Sequence, residues 1–239
     1  MKNNIRRILR FFQKRLTKPG PERHCPVCGK TSEKFGPYGL SPRSDARCPV
    51  CGSLERHRMV WLYLKRKTDL FTNLPAKALH IAPEGSLENQ FRKKFGKGYL
   101  TADLLVSGVD LKMDICNIEF PDDTFDFIHC SHVLEHVPDD RQAMREFNRV
   151  LTARGIAILL VPITAEKTIE DPTIEDPKER LRLYGQEDHV RRYGTDYVDR
   201  LVEAGFRVEK LSARDFLTKY ETIRMGVTAA AGDLFVCRK

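Results

Sequence analysis

The sequence predicts an α/β protein built on a parallel sheet and preceded by a small four-cysteine metal module. Three observations predict this. Between Lys77 and Glu135, short apolar runs close on a small or acidic residue and alternate with turns and helical stretches. That is the pattern of buried strands with ligand groups gathered at their carboxyl ends. Upstream, two CPVCG sequences stand nineteen residues apart. The length, 239 residues, suits one domain of ordinary size plus an accessory module. The divisions expected are residues 1–20, 21–56, 57–76 and 77–239.

Residues 1–20, MKNNIRRILRFFQKRLTKPG, hold seven basic residues and no acid, against a net charge of +8 for the chain. The rest is nearly neutral, so the basic pI of about 9.1 is no sign of a nucleic-acid-binding face. Ile5, Ile8, Leu9, Phe12 and Leu16 fall on one side of a helix and the basic residues mostly on the others. Such a basic amphipathic helix suits an anionic membrane surface. A solvated tail, or a helix packed on the domain, is the plainer reading. The segment lacks the apolar core and cleavage site of a secretory signal, although its composition also fits a transit peptide. Pro19 and Pro21 end it. No apolar run approaches the roughly 18 residues of a membrane span. The location expected is cytoplasmic, peripheral to a membrane if the tail binds one.

Residues 21–56 carry Cys25, Cys28, Cys48 and Cys51, each pair followed by glycine. Four thiolates so spaced meet around a tetrahedral, closed, structural Zn²⁺. Disulfides or a redox pair are the competing readings, and a reducing cytosol disfavours disulfides. His24 and His57 are spare ligands. Cys116, Cys130 and Cys237 read as small core residues, with Cys130 beside the expected site edge. Residues 57–76 continue a helix that starts in SLERHR. It is either a recognition helix or, the reading favoured here, a connector that buries Trp61 and packs the metal module on the main domain.

In residues 77–239, Ala78–Ala82 is a strand, Pro83, Glu84 and Gly85 a turn, and Gly85 or Ser86 opens a helix whose N–H groups suit an anion. Tyr99–Ala102 is a second strand ending at Asp103, an acid at the spacing of a ribose acceptor. Phe125–Cys130 is another strand, ending in Ser131 and His132.

The order of these pieces, with SHVLEHV, then a helix ending RVLTARG and the strand IAILLVPI, resembles the class I S-adenosylmethionine-dependent methyltransferases, in particular the type 11 branch. The resemblance covers about residues 77–239 and is strongest over FDFIHCSHVLEHVPDDRQAMREFNRVLTARGIAILLVP. One departure stands out. The glycine-rich first turn of the family is replaced by HIAPEG, which keeps only Gly85. The resemblance implies a Rossmann-like, seven-stranded methyltransferase sheet with an antiparallel last strand. It also implies S-adenosylmethionine as cofactor. Backbone from Ala82, Pro83, Glu84 and Gly85 would pass its methionine part, and Asp103 would take the ribose hydroxyls. Asp114, ending an MDI strand, would lie beside the adenine amino group, with Ile115 stacked on the ring. Asp110 is a nearby competitor for Asp114. Only about ten residues separate Asp103 from Asp114, fewer than a parallel crossover normally needs, so the intervening helix is expected to be a turn or lost.

Ser131 and His132 mark the strand end where this fold presents cofactor and substrate together. An oxygen acceptor must lose a proton, and a histidine titrating near neutrality is suited to take it. His189 and His132 are the catalytic candidates, with His136 read as mainly structural. His132 has a second reading, as a contact to the cofactor carboxylate. Residues 163–192, rich in acids, proline and arginine, read as a lid or specificity segment. There Arg180, Arg182, Arg191 and Arg192 either meet an anionic substrate or pair with neighbouring acids. A helix over TDYVDRLVEA, a strand over FRVEKLSA and a last strand over DLFVCRK complete the domain.

Three functions follow. The first is a methyltransferase acting on a small molecule, sugar or lipid-linked glycan. The second, ranked lower, is an RNA methyltransferase recognising nucleic acid through the zinc module. It predicts basic residues and stacking aromatics around the acceptor site, whereas the charge sits in the tail. The third is a non-catalytic binding module, against which Asp103, Asp114 and SHVLEHV argue.

Overall fold

The protein is seen here as a computed structural model that describes residues 22–39, 41–73 and 76–239. The helix expected over residues 1–20 lies outside the described residues. No helix among the described residues is long and apolar enough to cross a membrane.

Two short antiparallel hairpins come first, β1 (Arg23–His24) with β2 (Thr31–Ser32), and β3 (Gly36–Tyr38) with β4 (Arg43–Arg47). Helix α1 (Glu55–Lys67) follows. Met59 to Leu64 are all buried, so this stretch is apolar nearly all round and lies inside the molecule, as a connector requires. Its Trp61 ring meets Phe71 and Phe91 at 5.0 and 6.1 Å.

The main sheet contains β5 (Ala78–Ile81), β6 (Tyr99–Asp103), β7 (Leu111–Lys112), β8 (Phe125–Ser131), β9 (Leu151–Leu160), β13 (Arg207–Leu211) and β14 (Leu234–Arg238), in the order β13-β14-β9-β8-β5-β6-β7. Strand β14 runs antiparallel to both neighbours, and the other pairs are parallel. The central strands are covered on both faces, which is why they read as continuous apolar runs. Helix α2 (Gly85–Phe95) lays Leu87, Phe91 and Phe95 on one face of the sheet, four residues apart. The chain order reverses between β5 and β8, which makes that crevice the topological switch point of the sheet.

Two expectations are revised. The MDI strand is displaced: β7 ends at Lys112, and Asp114 lies in the turn beyond it. As the short span predicts, no helix forms between β6 and β7. The segment is instead folded back by Asp110, which accepts from Thr101 N–H at 2.9 Å and from Arg92 at 3.0 Å. The stretch RVLTARG is not a helix end either. Helix α3 (Asp140–Val150) stops at Val150, because Leu151 already pairs with Phe125 in the sheet.

The segment 163–192 is a folded subdomain rather than an irregular lid. It holds β10 (Ile163–Ala165), β11 (Ile169–Glu170), α4 (Pro177–Tyr184) and the start of β12 (Arg191–Gly194), with strand order β10-β12-β11. Its arginines bind the chain itself. Arg191 is buried, donates to the carbonyls of Leu134, Val137 and Pro138, and meets Glu170 at 2.9 Å. Arg180 donates to Ile174 O, Arg182 pairs with Glu179, and Arg192 donates to Thr164. Helix α5 (Tyr197–Glu203) adds Arg200, which meets Asp140 at 3.0 Å and Glu170 at 2.6 Å.

Candidate active site

The switch point is lined by two matching turns. Strand β5 leads directly into Ala82 with φ +46°, and β8 into His132 with φ +56°. Both residues keep a sheet hydrogen bond, from Ala82 N–H to Ala102 O and from His132 N–H to Leu160 O, each 2.8 Å. A left-handed conformation costs a residue with a Cβ about 1–2 kcal/mol, and such strain gathers at functional sites. The backbone of HIAPEG thus retains at Ala82 the conformation that glycine would hold without strain. Pro83 and Glu84 follow, and a Cβ placed on Gly85 would meet nothing within 4 Å. Ser131, at the end of β8, lies across the crevice, with its Oγ 3.5 Å from Glu84 Oε1.

Glu84 is the most heavily engaged residue at the crevice. Its Oε1 accepts from Arg56 Nη2 at 2.8 Å and from His57 Nε2 at 2.7 Å, both on α1. His57 Nδ1 accepts from Leu54 N–H at 3.1 Å. Its proton is therefore on Nε2, and the ring is a neutral donor. Burial lowers the pKa of His57, against the opposing pull of Glu84. Burial alone would raise the Glu84 carboxyl, but His129, His57 and Arg56 outweigh it and hold the group well below the usual range. Arg56, His57, His80 and His129 were not foreseen as site residues, and His57 is not a zinc ligand. The available signals were the charged ERHR at the head of an apolar helix, and single histidines inside the otherwise apolar strands ALHI and FIHC.

Asp103 ends β6 one residue beyond Ala102, the register partner of Ile81, so it shares an edge with the Ala82–Gly85 turn. Its Oδ1 caps the next turn, accepting from Leu105 N–H at 2.7 Å and Val106 N–H at 2.8 Å. Asp114 is exposed and accepts from Cys116 N–H at 2.8 Å, while Ile115 is buried. Asp110, the competitor, is committed to Thr101 and Arg92. An acid at the β6 edge and open space beside Gly85 fit the ribose and methionine ends of S-adenosylmethionine.

The three sequence-predicted histidines converge. His132 Nδ1 lies 3.3 Å from Glu135 Oε1. His136 Nδ1 lies 3.2 Å from Asp188, and its ring stands perpendicular to that of His189 at 4.6 Å. Glu135 O accepts from Val190 N–H at 2.9 Å, which ties the subdomain to the end of β8. His189 Nδ1 faces the Tyr184 carbonyl at 3.3 Å and so carries the proton. Its Nε2 is left as a lone pair, buried and without a partner. Burial, then the neighbouring His136, lowers its pKa.

The four cysteine sulfurs of the N-terminal module lie within 4.8 Å of one another. Cys25–Cys51 is 3.6 Å and Cys28–Cys48 is 3.9 Å, close to the edge of about 3.8 Å that tetrahedral Zn–S bonds give. The two turns repeat each other. Gly29 N–H bonds to Cys25 O and Gly52 N–H to Cys48 O, with φ +72° and +75° at the glycines. The hydrogen bond with Cys25 pulls the Cys51 thiol down to about 4. Arg58 is wholly buried beside them. It donates to the carbonyls of Ser53, Ala46 and Gly226 and stacks on Phe35 at 4.4 Å. A guanidinium held there by neutral carbonyls fits a neighbouring anionic thiolate cluster.

Residues 82–159 match the family described as methyltransferase domain. The chain is 39% identical over 75 residues to the uncharacterized methyltransferase YcgJ of Bacillus subtilis, covering 31% of this chain and 28% of that protein. It is 25% identical over 121 residues to ajmaline N-methyltransferase of Rauvolfia serpentina, covering 50% of this chain and 38% of that one. The chain thus spans well under half the length of these relatives. Among solved structures it superposes on an S-adenosylmethionine-dependent methyltransferase from Mesorhizobium loti with TM-score 0.50, at 15% identity, covering 76% of this chain and 98% of that one. With its strand order and its family match over residues 82–159, the sheet of this chain has the Rossmann-like methyltransferase fold.

Proposed function

We propose that the chain is an S-adenosylmethionine-dependent methyltransferase acting on a small molecule, sugar or lipid-linked glycan. The observation that carries this reading is the convergence at one switch point of the Ala82–Gly85 turn, Asp103 and the His132–Glu135–His189 group. When bound, S-adenosylmethionine supplies an electrophilic methyl group on a sulfonium. Ala82, Pro83, Glu84 and Gly85 hold its methionine part through backbone, Asp103 orients the ribose, and Asp114 and Ile115 flank the adenine. Ser131 and His132 bound the crevice where the acceptor meets the methyl group. His189 takes the acceptor's proton on Nε2, the one nitrogen of its ring that is both unprotonated and unpartnered. Most of the rate then comes from alignment of acceptor and methyl group.

Cys25, Cys28, Cys48 and Cys51 hold a structural Zn²⁺, whose tetrathiolate charge Arg58 balances. Residues 1–20 give a peripheral attachment to an anionic membrane surface, on a cytoplasmic protein.

Calorimetric titration of the zinc-loaded protein with S-adenosylmethionine tests the reading. The expected result is one site, weakened at least tenfold by Asp103→Ala, followed by methyl transfer in a screen of sugars, lipids and RNA. No binding by folded wild type overturns the methyltransferase reading. Methylation of RNA alone overturns the acceptor class.

A further inference from the structure

Strands β5 and β8 place two histidines side by side in the middle of the sheet. His80 and His129 are register partners, and their ring centroids are 4.9 Å apart. Their exposures are 1% and 0%. Neither nitrogen of His129 has a hydrogen-bond partner, nor has His80 Nε2, nor Glu84 Oε2 just beyond β5. A lost partner costs a buried polar atom about 1–3 kcal/mol, so four such atoms on three adjoining side chains need an explanation. Together with Glu84, the two imidazoles offer ligand atoms that all lie within 4.8 Å of one another. His129 Nε2 and Glu84 Oε2 are 3.6 Å apart, near the edge of about 3.3 Å set by Zn–N and Zn–O bonds.

We propose that His80, His129 and Glu84 form a second metal site, for a divalent transition ion of the zinc type, separate from the four-cysteine site. The surrounding residues are those such a site needs. His80 Nδ1 is 2.7 Å from the buried Tyr99 hydroxyl, which fixes the ring with Nε2 toward the cluster. Glu84 Oε1 is held by Arg56 and His57, which leaves Oε2 for the ion. Outer partners of this kind orient ligands and set their basicity. Two imidazoles and one carboxylate favour Zn²⁺ or Co²⁺ over Mg²⁺ or Ca²⁺. The site does not depend on methyl transfer, because no ligand in it is a proposed base and the cofactor meets Glu84 through backbone.

The full chain, stripped by chelator and titrated with Co²⁺, tests the proposal. Four thiolates give an intense ligand-to-metal band in the near ultraviolet, whereas two imidazoles and a carboxylate give only weak visible bands. The expected result is two equivalents, the second adding no thiolate band. His129→Phe and Glu84→Gln should each weaken that second equivalent at least 100-fold and leave the thiolate band intact. Tyr99→Phe should weaken it about 10–100-fold. Saturation of wild type at one equivalent, with the thiolate band complete, overturns the proposal and leaves water as the occupant. A second equivalent that persists in both His129→Phe and Glu84→Gln also overturns it, placing the ion elsewhere, for instance at Glu135, His136 and His189. Titration of the wild-type samples with S-adenosylmethionine, with and without the second equivalent, reports separately on the methyltransferase reading.

Discussion

His57 Nε2 donates to Glu84 Oε1 at 2.7 Å, and through that bond the helix leaving the cysteine module reaches the crevice of the sheet. The backbone N–H of Leu54 and the hydroxyl of Ser86 hold the other nitrogen at 3.1 and 3.0 Å. The cysteine module and the turn after β5 are therefore parts of one hydrogen-bonded unit.

His57→Ala is expected to weaken S-adenosylmethionine binding about tenfold, as loss of one donor to a charged group costs on the order of 1.5–3 kcal/mol. His57→Gln, which can still donate, should recover part of the loss. Chelation of the ion at the four cysteines should act in the same direction, although no cysteine lies in the crevice. Calorimetry on the three samples checks this, and unchanged affinity in all of them would dissolve the link.

Arg200 is the hinge of the second prediction. It is 6% exposed and joins Asp140, which is 3% exposed, to Glu170. Arg200→Ala leaves buried Asp140 with the Tyr193 hydroxyl at 2.6 Å but, as a cation, only the more distant Arg191 at 3.6 Å among the described residues. Breaking a buried pair costs about 3–5 kcal/mol, so urea unfolding should show a loss of roughly 3 kcal/mol. A loss under 1 kcal/mol would mean the acids find another partner.

The same cluster sets an acid limb of stability. Hydrogen bonding to Arg200, against burial and with help from Arg191, lowers the Glu170 carboxyl from 4.5 to about 2. A folded-state pKa depressed in this way contributes stability that is fully present above about 4.5 and lost as the pH falls toward 2. Thermal melts of wild type should therefore drop more steeply across that window than melts of Glu170→Gln. Parallel curves would refute the assignment.

For turnover, His189 sets the sign. Burial lowers its pKa below 6.5, so as a base it stays unprotonated throughout neutral pH. The pH profile of kcat/KM should be flat near pH 7 and fall only below 6.5. His189→Gln should cost about 10²–10⁴-fold in kcat with cofactor affinity kept. An acid limb that survives in His189→Gln assigns it to another group.

Gly226 gives a prediction for the module's packing. At φ +61°, an added Cβ would meet the Phe35 ring at 2.8 Å and Arg58 Nη2 at 3.2 Å. Gly226→Ala should destabilise by about 1–3 kcal/mol through overpacking and backbone strain, and should weaken retention of the cysteine-bound ion. Chemical denaturation and metal-release rates are the readouts.

Much of this was legible in the sequence because the signals are local. Apolar runs mark β5, β6 and β8, the twinned CPVCG marks the cysteine cluster, and the short span from Asp103 to Asp114 already rules out the usual helix. Pairings between distant residues were not legible. ERHR gives no hint that Glu55 pairs with Arg43, that Arg56 and His57 reach Glu84, or that Arg58 turns inward to Gly226. The arginines of the 163–192 subdomain look like a charged surface until Arg191 is seen under the carbonyls of Leu134, Val137 and Pro138. The MDI strand misled because Met113 and Ile115 are buried without being in a strand. Burial, not pairing, made them apolar.

The bond from Arg58 to Gly226 O closes a separation of 168 positions. A ribosome adding about 5–20 residues per second needs roughly 10–30 s to cover that distance. During this interval the four thiols are already made, but the carbonyl that helps hold Arg58 beside them does not yet exist. On the proposed zinc reading, metal capture by the cysteines then precedes completion of the fold around Arg58. On the proposal that these cysteines hold zinc, its supply during synthesis is expected to bear on the yield of folded protein.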